Sequence, residues 1–422
     1  MSRSSTSTSN RHILARVCTR AGFFLAPLVL FVGFFEMIFW RARECWSTRR
    51  VIEALETDPQ TLYGPRYFAS NMEEIKRERL QSGRMQVVAL GSSRVTQFRA
   101  PMFAPMEHEF LNAGLMATNT PELLSMIGFF TENKFSLPRV LIVGIDPWWI
   151  KKRPAPEIAN RWKDRSERIA STTAASAHVD AIRRFCSNFR VPWPVLWRSA
   201  AMKDSLYGYN AIGLGALSGN GYLADGSVLQ SDYILDYIKT GRYVDREVPP
   251  VIERIRRRTH QFGATTGVDW TEVDRIIKAL SALKSRGVEV YAFLPPFSIE
   301  ADQELQKTSG LDTWYAEYRE KVPLRLNAAG IVCVDVRSPA TYGLADDYMI
   351  DGFHPGDVLM TYILEELVRR AAPHSVLSSV KVEQLRQLRE GPGVIPISLH
   401  PPPGLRPSVL PAARAPVPAS AR

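Results

Sequence analysis

Between Arg20 and Arg41 the chain reads AGFFLAPLVLFVGFFEMIFW, twenty residues whose only charge is Glu36. As a helix this run is about 30 Å long, the thickness of a bilayer's hydrocarbon core. A cleaved secretory signal has a shorter apolar core followed by a small-residue cleavage site. Here the run ends in Phe39-Trp40-Arg41, an aromatic and basic interfacial anchor. The sequence therefore predicts a retained transmembrane helix over 21–40, preceded by a short tail, 1–20. Pro27 falls in the first two turns, where a helix tolerates it best. Glu36 lies about one turn from the interface, so it either snorkels outward or faces a helix of another membrane protein. Arg3, Arg11, Arg16 and Arg20 on one side balance Arg41, Arg43, Arg49 and Arg50 on the other. Flanking charge thus gives no orientation.

The 422 residues carry a net charge of +10, which invites a nucleic-acid reading. The excess sits at the two ends. Residues 1–50 hold eight arginines against Glu36 and Glu44, and residues 391–422 hold three arginines and no acid. The body between them is close to neutral, whereas a nucleic-acid groove concentrates its positive charge in the folded part. That class is excluded. Cys18, Cys45, Cys186 and Cys333 show no metal-ligand spacing, and no cofactor or metal site is indicated.

Beyond a charged juxtamembrane connector at 41–83, short apolar runs alternate with helical patterns. The runs are MQVVAL (85–90), EFLNAG (109–114), RVLIVGI (139–145), VEVYAFL (288–294) and IVCVDV (331–336). The helical patterns cover 121–134, 271–285, 302–328 and 356–372. Runs apolar on successive residues suit strands buried on both faces, and this alternation defines an α/β doubly wound parallel sheet. Its core is expected over 84–150 and 270–373. Residues 151–269 read as an insertion on the sheet's C-terminal side, with a hairpin turn at Asp225-Gly226. Its glycine-rich stretch 213–221 lacks the context of a phosphate loop. Residues 374–422 form a C-terminal extension, expected to be disordered from 391, where nine prolines fall within 32 residues.

Two distant segments carry chemistry. Gly91-Ser92-Ser93-Arg94 places a serine on the turn after the first core strand. Asp351-Gly352-Phe353-His354 places an acid three residues before a histidine, just ahead of the last core helix. In a doubly wound sheet both positions fall at the C-terminal strand edges, where crevices form. An imidazole can take the serine proton, and a carboxylate on its other nitrogen fixes the tautomer. Ser93, His354 and Asp351 are the candidate catalytic residues.

These segments resemble the SGNH (GDSL-like) hydrolase superfamily. Gly91-Ser92-Ser93 looks like its first block, with Ser92 at the usual aspartate position, and Asp351-x-x-His354 looks like its last. The resemblance implies a three-layer SGNH or flavodoxin-like fold and an oxyanion hole built from the Ser93 and Gly114 amides. It puts Asp146, in Gly144-Ile145-Asp146-Pro147, where the family has an oxyanion-binding asparagine. An ionised carboxylate cannot donate there. With its N-terminal span the chain is similar to anchored members that serve surface-polymer acylation, among them alginate O-acetylation and teichoic-acid D-alanyl transfer proteins. The resemblance then implies an inner-membrane protein with its body in the periplasm. There it would act on an acyl ester or polysaccharide beside a multi-span membrane O-acyltransferase.

Two functional readings follow: a serine esterase or O-acyltransferase, favoured by the intact Ser93/His354/Asp351 set, and a silent glycan-presenting scaffold, favoured by Ser92 and Asp146. Arg94 either binds a substrate anion or forms an ion pair. Trp148 and Trp149 either stack on sugar or pack under the insertion.

Overall fold

The computed structural model describes residues 6–68, 70–152, 174–187, 193–201, 208–240 and 248–399. Among these lie nine strands: β1 (Thr61–Tyr63), β2 (Val87–Gly91), β3 (Phe110–Gly114), β4 (Val140–Gly144), β5 (Asn210–Ile212), β6 (Asn220–Tyr222), β7 (Val228–Gln230), β8 (Glu289–Leu294) and β9 (Val332–Asp335). Five of them form a wholly parallel sheet in the order β3-β2-β4-β8-β9. The chain steps outward from β2 to β3, then returns across β2 to β4. The β2/β4 crevice is therefore the point where the direction of winding reverses.

Successive strand residues point to opposite faces, and both faces are buried. Val88, Leu90, Leu141 and Val143 pack with the helices Thr120–Thr131, Trp270–Lys284 and Asp312–Ala328. Val87, Ala89, Val140 and Ile142 pack with the helix Asp357–Arg370 on the other side. Side-chain caps start two of these helices: Asn119 accepts from Glu122 N, and Asp269 from Thr271 N and Glu272 N. The helix expected over 302–328 is two, Ile299–Lys307 and Asp312–Ala328. Gly310, at φ +82°, turns the chain between them.

The first helix, Thr6–Arg41, extends beyond the predicted span at its N-terminal end, and its segment Ile13–Arg41 is long and apolar enough to cross a membrane. Its last turns are not free. Phe35, Ile38 and Phe39 are buried among Tyr67, Phe185, Val195 and Leu196, and Glu36 meets His178 Nδ1 at 2.6 Å.

Residues 41–83, read from sequence as a connector, are folded. They carry the helices Thr48–Thr57 and Met72–Gln81 and the strand β1. β1 joins strands of the 151–269 segment in a second, mixed sheet ordered β5-β1-β6-β7. The Asp225-Gly226 turn links antiparallel β6 and β7, with Gly226 at φ +81°. The glycine-rich stretch is a packing seam: a Cβ on Gly213 would sit 2.5 Å from Gly64 O, and one on Gly221 2.5 Å from Tyr63 O. Residues 391–399 of the C-terminal extension are folded onto the body, against the expectation of disorder from 391. Ile395 and Ile397 enter the cluster around Phe39, and Leu399 N donates to Asp357 Oδ1 at 2.8 Å. The rest of the proline-rich tail lies outside the described residues. All four cysteines are free.

Candidate active site

Ser93 opens a short 3-10 turn, Ser93–Val95, capped by Ser92, whose Oγ accepts from Arg94 N at 3.2 Å. The turn folds onto the crevice because Gly91 and Gly144 have no side chains. A Cβ on Gly144 would lie 2.6 Å from Val95 Cγ2, and one on Gly91 would also fall inside contact distance of that methyl.

On the opposite wall the loop before Asp357 is shaped by Asp351. Its Oδ1 accepts from Phe353 N at 2.9 Å and His354 N at 2.8 Å, leaving Oδ2 to accept from His354 Nδ1 at 2.6 Å. The three-residue spacing lets one carboxylate cap the loop and hold the imidazole together. His354 Nε2 then faces Ser93 Oγ at 2.8 Å. With the proton on Nδ1, Nε2 is the acceptor for the serine hydroxyl. Burial pushes the Asp351 carboxyl up, but the histidine charge, its hydrogen bond and the two backbone donors outweigh this, holding it below its ordinary range. Ser93 is half-buried and the His354 side chain 20% exposed, so both reacting atoms lie at an accessible edge.

The other expected site residues fall differently. The Gly114 N–H donates to Asn112 Oδ1 at 2.8 Å and is already engaged, contrary to the oxyanion role expected of it. Asn112 is fully buried, and its amide also donates to Val95 O and Phe98 O at 2.9 Å each, tying the end of β3 to the serine turn. The Ser93 N–H leads its own turn, where no intrahelical acceptor exists. Asp146 does not face the reacting edge. It is completely buried, with Oδ1 3.0 Å from Arg94 Nη1. Burial drives Asp146 up and Arg94 down, and the charge of each partner works against the other's shift.

Arg94 is likewise sealed, at 0% exposure, and cannot reach a polymer. Trp149 belongs to the core beneath β4. Trp148 alone of the expected binding residues stays at the rim, half-buried and edge-on to Phe353 with ring centroids 6.4 Å apart. Leu115 adjoins the same edge; sequence reasoning missed it. Its φ is +68°, its N–H donates to Ser92 O at 3.2 Å, and the residue is 38% exposed. A leucine held in the left-handed region beside a candidate nucleophile is a strained position of the kind found at functional sites.

A cavity of about 590 Å³ on the helices 299–307 and 312–328, lined among others by Gln306, Tyr315, Lys321 and Arg337, shares no residue with this constellation. Among the described residues no group of three His, Cys, Asp or Glu side chains is placed to hold a metal. No family model, curated protein or solved structure matches the chain.

Proposed function

We propose that the chain is a membrane-anchored serine esterase or O-acyltransferase of SGNH-like, three-layer architecture, acting on extracytoplasmic polysaccharide. The observation that carries this reading is the relay from Asp351 Oδ2 through His354 to Ser93 Oγ, at 2.6 and 2.8 Å, on the edge of the β2/β4 crevice. Ser93 Oγ attacks the ester carbonyl while His354 Nε2 takes its proton. Collapse of the tetrahedral intermediate breaks the bond to the leaving alkoxide, which receives that proton. Water or a sugar hydroxyl then gives a proton to His354 and attacks the acyl-Ser93 ester, and the released Ser93 Oγ takes that proton back from His354. The apolar helix 13–41 supports anchoring. Placing the body in the periplasm, beside a multi-span acyltransferase, rests on the family resemblance.

A fluorophosphonate probe tests this reading: it should label the wild type at Ser93 and leave Ser93→Ala unlabelled. The engaged Gly114 amide and the buried Asp146 favour the second reading, a silent glycan-presenting scaffold. That reading takes over if wild type resists the probe yet still binds polysaccharide.

A further inference from the structure

Arg94 follows the candidate nucleophile directly, yet it points away from solvent into the layer beneath the site. Its guanidinium contacts each of the three loops that meet there. Nη1 holds Asp146, after β4, at 3.0 Å. Nη2 donates to Pro295 O at 2.9 Å and also to Pro296 O, both after β8. Nε donates to Phe353 O at 2.9 Å, on the residue preceding His354. The guanidinium also lies over two rings, with its Cζ 4.3 Å from the Phe297 centroid and 5.3 Å from that of Trp148.

We propose that Arg94 is the positioning residue of this site: one buried guanidinium sets the distance between the Ser93 turn and the His354 loop. The proposal rests on the triad reading. Ser93 and His354 lie on segments 261 residues apart in sequence, and their hydrogen bond alone joins two side chains. The Arg94-to-Phe353 bond joins the same two segments from a side chain to a backbone carbonyl, one residue away from each reacting group. Only a planar fork with five donors can satisfy these acceptors together, because a lysine ammonium offers a single point of attachment. The Phe353 carbonyl has no side chain of its own to replace, so the guanidinium is the adjustable half of the link.

The test is Arg94→Lys in the full-length, detergent-solubilised protein, read in two ways. For p-nitrophenyl acetate hydrolysis, kcat should fall about 100-fold, the scale expected for a misplacement near 1 Å, with KM little changed because Arg94 cannot touch substrate. The downfield proton resonance of His354 Nδ1–H, assigned by its loss in Asp351→Asn, should shift or broaden. A folded Arg94→Lys protein with wild-type kcat and an unmoved resonance overturns the proposal. If that variant does not fold, Asp146→Asn replaces it. It keeps all five Arg94 donors but removes the charge that orients them, and the same two readouts should change in the same direction; unchanged values overturn the proposal. Failure of the triad reading is separately visible, as absent labelling or labelling that persists in Ser93→Ala. The resonance reports on the His354 loop whether or not any ester is turned over.

Discussion

Arg94 Nη1 and Asp146 Oδ1 lie 3.0 Å apart, and neither side chain touches solvent. Removing one partner from such a pair strands the other charge, at a cost of about 3–5 kcal/mol. Asp146→Asn should therefore lower the thermal midpoint measurably and slow ester turnover. Seen as an intruder in an oxyanion site, Asp146 would predict the opposite, unchanged or faster turnover in the asparagine variant. A variant as stable as wild type with faster turnover would restore that view.

His354→Ala and Asp351→Asn should each reduce probe labelling of Ser93 by about 10³-fold or more. Asp351 also carries a stability signature. Its carboxyl is held below 3.8 in the folded protein, so its contribution is complete above the unfolded value. It is lost as pH falls through the folded one, in the window below roughly pH 4. Melting curves across that range should be steeper in pH for wild type than for Asp351→Asn.

Lys76 predicts a pH effect of opposite placement. It is 1% exposed, donates to Gly114 O at 2.7 Å, and burial lowers its pKa to about 7 despite Asp225 and Glu73. Below about pH 7 both folded and unfolded chains hold the proton, and the cost of the buried charge is fully present. Between about 7 and the ordinary 10.5 the unfolded chain binds more protons, so stability rises with pH. Lys76→Met should flatten that rise, and denaturation midpoints at the two ends of the window measure it. Equal slopes in both proteins would rule the effect out.

Phe39 is completely buried against Phe68, Tyr67 and Phe185, where the apolar helix meets the body. Phe39→Ala should cost about 3–5 kcal/mol of that docking. Limited proteolysis should then cut near residues 174–200 faster than in wild type. An unchanged cleavage rate would mean that helix and body are held elsewhere.

The five core strands were legible because each is a short apolar run that needs no distant partner to be recognised. RVLIVGI at 139–145 became β4 at 140–144, and VEVYAFL became β8 at 289–294. Ser93, His354 and Asp351 were legible as types at a spacing, since Asp351 acts within its own loop. What escaped depends on contacts between remote segments. Nothing local in Thr61–Tyr63 announces a strand whose parallel neighbour begins at Asn210. Nothing local in Gly114 shows that Asn112 will occupy its amide, although a lone asparagine within an otherwise apolar run was a usable sign. Arg94 read equally as an anion ligand or as half of an exposed ion pair, because a charged side chain beside a serine turn is ordinarily exposed. It does form an ion pair, but a buried one, and its four acceptors come from three other loops.

In the second sheet β1 is an interior strand, flanked by β5 and β6. Tyr63 leaves the ribosome well before its partners Ile212 and Tyr222. At ordinary synthesis rates the interval is about 10–30 s. During that time the part of the body next to the apolar helix is begun but not closed, with both edges of β1 open to foreign strands. The part of the chain made first is thus completed late, and this is where nascent molecules should most need a chaperone.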